Sequence, residues 1–140
     1  MTLAFETTDT PAADDLATLN ARLTAFNDAD VGASGRRALA VFQRDAEGEI
    51  VAGLSGYTAW GWLYVQWLWV GEALRGQGVA GQMLTAAEAE AKARGCHGAL
   101  IDTFSPVARR TYERQGYQCF GIVEDFPPGR SRIYLQKRLA

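Results

Sequence analysis

Histidine is nearly missing from this 140-residue chain, which carries one, and only two cysteines, Cys96 and Cys119, accompany it. Two thiols are too few for a disulfide framework and are not spaced like metal ligands, and His97 has no plausible partners, so no metal site is expected. Charge of either sign is not in excess: 14 Lys plus Arg against 16 Asp plus Glu leave a net charge of −2. No global field therefore draws the chain to nucleic acid or to an anionic membrane surface. The longest apolar stretch, around residues 60–70, is too short and too interrupted to span a bilayer, and no basic segment precedes an apolar run at the amino terminus. A disulfide scaffold, a zinc module, nucleic-acid binding and membrane insertion are thereby excluded. A cytoplasmic location is the expectation that remains.

What is present suits one core. With 48% hydrophobic and 21% charged residues, and with no repeat, low-complexity linker or break in composition, residues 1–140 read as a single domain. Residues 3–7 alternate as a short strand. Leu16, Leu19, Leu23 and Phe26 recur at helical spacing, which predicts a helix over 11–27 with Thr10 as cap and Pro11 at the first position, followed by a loop to Gly35. Strands are expected over 38–43, 50–58 and 63–70, joined by reversals at Asp45–Gly48 and Trp60–Trp62. A helix follows, with Ala80, Met83, Leu84, Ala87 and Ala91 on one face, Glu88 and Lys92 paired four apart on another, and Gly95 as its stop. The short apolar stretch 99–102 then lies parallel to strand 63–70, since a helix joins the two. Ser105-Pro106 caps and opens a further helix ending before Gly116, and strands 117–122 and 131–136 flank the turn Pro127-Pro128-Gly129.

The segment Val70-Gly71-Glu72-Ala73-Leu74-Arg75-Gly76-Gln77-Gly78-Val79-Ala80-Gly81 sets a glycine-rich turn between a strand and a helix. Such a turn lets backbone come close to a ligand, and the unpaired N–H groups of the helix that follows attract phosphate. Gly76-Gln77-Gly78-Val79-Ala80-Gly81 matches G-x-G-x-x-G, and Asp102 lies about twenty residues on, as in dinucleotide-binding folds. Against that reading, five residues separate Val70 from Gly76, and fewer than about forty remain after Asp102 to complete the fold. A Walker-type loop fails because no Lys-Ser or Lys-Thr closes it.

In the register Arg75-x-x-Gly78-x-Ala80 the chain resembles the GNAT superfamily of acyl-CoA-dependent N-acyltransferases, whose pyrophosphate motif is Gln or Arg, two variable residues, Gly, one variable residue, and Gly or Ala. Leu68-Trp69-Val70 looks like the strand end that supports the pantetheine arm, and Ser105 to Tyr117 resembles the second family motif. The likeness implies an α/β domain with a mixed, mostly antiparallel sheet, flanking helices, and a splayed parallel pair formed by the fourth and fifth strands. It implies acetyl-CoA as donor, a small-molecule or peptide amine as acceptor, transfer by direct attack, and a possible homodimer. The coenzyme would meet Leu68, Trp69, Val70, Arg75, Gly76, Gln77, Gly78, Val79, Ala80, Gly81, Ser105, Ala108 and Tyr112.

By the same resemblance Tyr112 corresponds to the general acid, and a phenol keeps its proton at neutral pH. Ser105 stands where relatives often have Asn, and a hydroxyl cannot reproduce both amide functions. No base stands out: Tyr64-Val65-Gln66-Trp67 offers none, leaving Gln66 to hold a relaying water, and Asp102 is the best ionisable candidate, its alternative role being a strand-end cap. Arg75 reads either as a phosphate ligand or as a solvated loop residue, and Arg109, Arg110 and Arg114 either as 3′-phosphate contacts or as surface charges. Trp60, Trp62, Trp67 and Trp69 read first as core residues, with an acceptor pocket as the other possibility. Glu124 and Asp125 are candidates for attracting a substrate ammonium. The missing base and Ser105 leave a second function open, an acyl-CoA-binding module that transfers nothing.

Overall fold

A computed structural model describes residues 3–140, and the chain separates into two compact units, one ending at Ser34 and the other running from Gly35 to Ala140.

The first unit holds helix α1 (Ala13–Val31). No strand forms over Leu3–Thr7. Its apolar members point into solvent, Phe5 with 99% of its surface exposed. Nor does α1 start where expected. Ala12 is the cap and supplies no side-chain bond, while the backbone N–H of Thr10 donates to Thr8 Oγ1 at 3.0 Å. The helix also continues through Asn27, Asp28 and Asp30, which the composition assigned to a loop. Each such residue costs a helix only tenths of a kcal/mol, and it is Gly32, at φ 88°, that stops the run. Leu16, Leu19, Leu23 and Phe26 are all exposed.

The second unit is a six-stranded mixed sheet: β1 (Arg37–Arg44), β2 (Ile50–Ala59), β3 (Trp62–Val70), β4 (Gly98–Thr103), β5 (Gln118–Glu124) and β6 (Ser131–Arg138), in the order β1-β2-β3-β4-β6-β5. Every neighbouring pair is antiparallel except β3 and β4, which helix α2 (Val79–Ala93) joins in parallel. Helix α3 (Pro106–Arg114) links β4 to β5, and Ser105 caps it by accepting from Ala108 N at 3.2 Å. With the strand at residues 3–7 absent, the expected fourth and fifth strands are β3 and β4.

Both helices of this unit contribute to one core, in which Leu39, Leu54, Leu63, Val65, Ala99, Ile101 and Leu135 meet Met83, Leu84, Ala87, Ala91 and Tyr112. Glu88 is not on the outer face with Lys92. Helical spacing places it with Leu84, Ala87 and Ala91 on the inner row, and it is 5% exposed. There it takes the hydroxyl of Tyr117 at 2.9 Å and pairs with Lys137 Nζ at 2.6 Å.

One irregularity in β3 creates the site. Ser55 pairs with Trp67 but Gly56 pairs with Val65, so Gln66 is an extra residue on β3. Simple alternation would put residues 63, 65, 67 and 69 on one face. The bulge flips the phase: Leu63 and Val65 are buried before it and Leu68 and Val70 pack on the core after it, whereas Trp67 and Trp69 are 75% and 53% exposed. None of the four tryptophans is a core residue, contrary to the first reading of their cluster. The bulge also ends the parallel ladder, whose last pair is Val65 with Ile101. Beyond it β3 and β4 diverge.

Candidate active site

The gap between the diverging strands opens into two adjoining cavities. The first, about 570 Å³, runs from the end of β3 over the glycine turn to α3, and among its walls are Leu68, Val70, Gly78, Ala80 and Ala108. Glycine is required at two points of the turn. Gly76 and Gly78 have φ values of +78° and +75°, and the space where a Cβ would stand is open at both. Gly78 is the cap of α2 and offers no side chain, so the first N–H groups of that helix have no acceptor within the helix. Open N–H groups at a helix start suit an anion, and the helix dipole adds to that attraction.

The sequence placed thirteen residues around the coenzyme, and their positions differ. Leu68, Trp69, Val70, Arg75, Gly76, Gly78, Val79, Ala80, Gly81, Ser105, Ala108 and Tyr112 line the first cavity, while Gln77 does not and donates its amide to Ala73 O at 3.0 Å. Arg75 is exposed and donates Nε–H to Val70 O at 3.1 Å, bracing the turn against the strand end. Arg109 is paired with Glu113 at 3.6 Å on the surface of α3, and Arg114 reaches the cavity wall while donating to Thr111 Oγ1. Glu124 and Asp125 line neither cavity.

The second cavity, about 340 Å³, lies on the other side of the gap, against Trp67, Trp69, Asp102, Phe104 and Arg132. Tyr112, Ser105, Leu68 and Trp69 line both spaces. Tyr112 thus stands at the waist. It is 4% exposed, and burial, with the negative field of Asp102 added, pushes its phenol up to about 12. The same two causes raise Tyr64, whose hydroxyl donates to Asp102 Oδ1 at 3.1 Å.

Asp102 is not a bare strand-end cap. Its second oxygen, Oδ2, receives Arg132 Nη1 at 3.1 Å, and the Arg132 guanidinium lies 4.1 Å from the ring centre of Phe126 and 5.2 Å from that of Phe104. No motif reveals Arg132, because only the β4–β6 register brings it beside a residue thirty positions earlier. Thr111 and Gln115, also in the first cavity, were within reach of the helical spacing that includes Ser105, Ala108 and Tyr112.

The dinucleotide register does not survive this geometry. A 3₁₀ turn over Glu72–Leu74 separates β3 from Gly76, and the acid that would hold a ribose is tied to Arg132 and Tyr64. Among the described residues there is no cluster of potential metal ligands and no helix long and apolar enough to cross a membrane.

Comparison with known proteins agrees with the shape of the site. Residues 6–117 match the model of the acetyltransferase (GNAT) family. The chain is 48% identical over 116 residues to acetyltransferase Atu2258 of Agrobacterium fabrum, covering 83% of this chain and 85% of that one. It is 38% identical over 93 residues to the blasticidin-S acetyltransferase of Streptomyces morookaense, covering 66% and 68%. A crystal structure from Agrobacterium tumefaciens, described as an acetyltransferase, superposes with a TM-score of 0.93 at 43% identity over 97% of this chain and 99% of that one.

Proposed function

From the premise that this chain belongs to the GNAT acetyltransferase family, which uses acetyl-CoA, we propose that it moves the acetyl group to a primary amine of a small molecule by direct attack. The observation that carries this reading is the place of Tyr112, at the waist between a cavity with an anion cradle and a second cavity walled by aromatic rings and one carboxylate. The first cavity suits a long substrate with a pyrophosphate at one end. Backbone N–H groups at the start of α2 take the phosphates, and the exposed edge of β3 from Gln66 to Val70, released by the bulge, offers its amide groups to the pantetheine arm.

In the transfer the amine nitrogen attacks the thioester carbonyl, the carbon–sulfur bond breaks, and the sulfur needs a proton. A phenol held up to about 12 facing a thiol that ionises near 8.5 gives up its proton outright only uphill. Tyr112 therefore acts by donating a hydrogen bond that tightens as charge builds on sulfur, and it keeps its proton as the carbon–sulfur bond breaks; the thiolate takes its proton from the solvent that receives the amine's. Water held by Gln66 and Asp102 takes the proton lost by the amine. Trp67, Trp69 and Phe104 suit a cationic or ring-bearing body on that amine, and the relative named for blasticidin S points to the same class of acceptor.

Two measurements test this. Acetyl-CoA at about 100 times its dissociation constant is expected to add roughly 2.7 kcal/mol of stability in a thermal unfolding assay, with no comparable effect from NADH. Thiol release over a panel of amines is expected to match, mole for mole, an acetylated product identified by mass spectrometry. An equal response to NADH, or thiol release no amine accelerates, overturns the proposal.

A further inference from the structure

Asp102 presents a puzzle within this reading. A carboxylate in the acceptor cavity suits an incoming amine, yet the same charge opposes the negative charge that forms on sulfur beside the Tyr112 hydroxyl. Its effect on the phenol of Tyr112 is direct: it is the second cause, after burial, of the high value there. The structure contains an answer. Arg132 Nη1 sits 3.1 Å from Asp102 Oδ2, and the guanidinium is clamped by the rings of Phe126 and Phe104. Both partners are largely shielded from water, with side chains 23% and 13% exposed, so their fields are felt in the gap rather than screened away. Arg130 adds a further hold by donating Nη1–H to Phe104 O at 3.1 Å.

Resting on the transferase reading, we propose that Arg132 is a positioning residue for the transfer step: it holds Asp102 in place and cancels enough of its charge for the carboxylate to serve the amine without penalising the leaving thiolate. Arg132 is a member of the second cavity's wall but acts through Asp102. A different role fits the same contacts, a staple tying β6 to the segment around Phe104, and the two differ in what they demand of Asp102. A staple works whatever the charge at residue 102. A counter-ion is needed only while that charge is there.

The test is a double-mutant cycle on the full chain with Arg132→Gln, Asp102→Asn and the double variant, together with Arg132→Lys, reading kcat and KM for the acceptor, the dissociation constant for acetyl-CoA, and the unfolding temperature. Arg132→Gln is expected to lower kcat on the order of tenfold in the presence of Asp102 and by less than about threefold in the Asp102→Asn background. Acetyl-CoA affinity stays within about twofold in all four proteins, and Arg132→Lys, which keeps the charge, retains most of kcat. Equal costs in the two backgrounds, or a loss confined to KM, overturn the inference. Should Arg132→Gln not fold, Arg132→Lys decides: a loss of kcat as large as tenfold with the charge retained overturns it. A parent protein that releases no thiol with any amine overturns the transferase reading and this inference together, whereas an active parent with equal costs overturns this inference alone.

Discussion

Tyr117 donates its hydroxyl hydrogen to the buried carboxylate of Glu88 at 2.9 Å, joining the start of β5 to the inner row of α2. Lys137 completes the group from β6, and also donates to Gln115 O at 2.8 Å, next to the end of α3. One buried acid thus fastens α2 to the far half of the sheet. Glu88→Ala leaves the Lys137 charge and the Tyr117 hydroxyl without their partner, and the expected loss is about 3 kcal/mol. Urea unfolding of the two proteins measures it, and a loss below about 1 kcal/mol contradicts this account.

Tyr112→Phe removes the hydrogen-bond donor at the waist and keeps the ring that fills the core. The expected result is a fall in kcat of about a hundredfold or more, with acetyl-CoA affinity nearly unchanged. Full activity in the Phe variant rules Tyr112 out as the donor to sulfur.

Burial and the field of Asp102 hold Tyr112 at about 12 in the folded protein, against 10.0 for the free side chain. A group raised on folding stabilises the fold fully below its unfolded value and ceases to do so above its folded one. The contribution of Tyr112 is therefore intact up to about pH 10 and is lost as pH rises through about 12. Absorbance titration of tyrosinate is expected to show a late-ionising fraction that shrinks in Tyr112→Phe. Since Tyr112 is protonated throughout the ordinary working range, an alkaline decline of the rate below pH 10 belongs to another group. Midpoints near 10 for all five tyrosines contradict this environment.

Gly78→Ala puts a Cβ into open space at a positive φ, at the cap of α2 that faces the first cavity. The backbone strain is worth about 1 kcal/mol, and the methyl group narrows the anion cradle. Calorimetric titration with coenzyme A is expected to give a dissociation constant raised by about tenfold; an unchanged value removes the cradle from the binding model.

Much of this was legible in the residues. The glycine turn, the Ser105-Pro106 start of α3 and the crossover that makes β3 and β4 parallel all depend on local signals, and all are found. What failed did so where a neighbour decides. Residues 3–7 alternate like a strand, but alternation provides no edge to pair with. Glu88 has the charge of a surface residue and the spacing of a core one, and Tyr117 and Lys137, distant in sequence, settle the conflict. The Asp102–Arg132 pair depends on the register of two strands, which nothing local encodes.

Gln66 gives the bulge in β3 a further meaning. As an inserted residue it shifts the parity of the strand, so that even-numbered Leu68 and Val70 take the side that odd-numbered Leu63 and Val65 hold before it, and the ladder with β4 stops at Ile101. One residue does in the folded sheet what a frameshift does in a reading frame: everything after it is read differently.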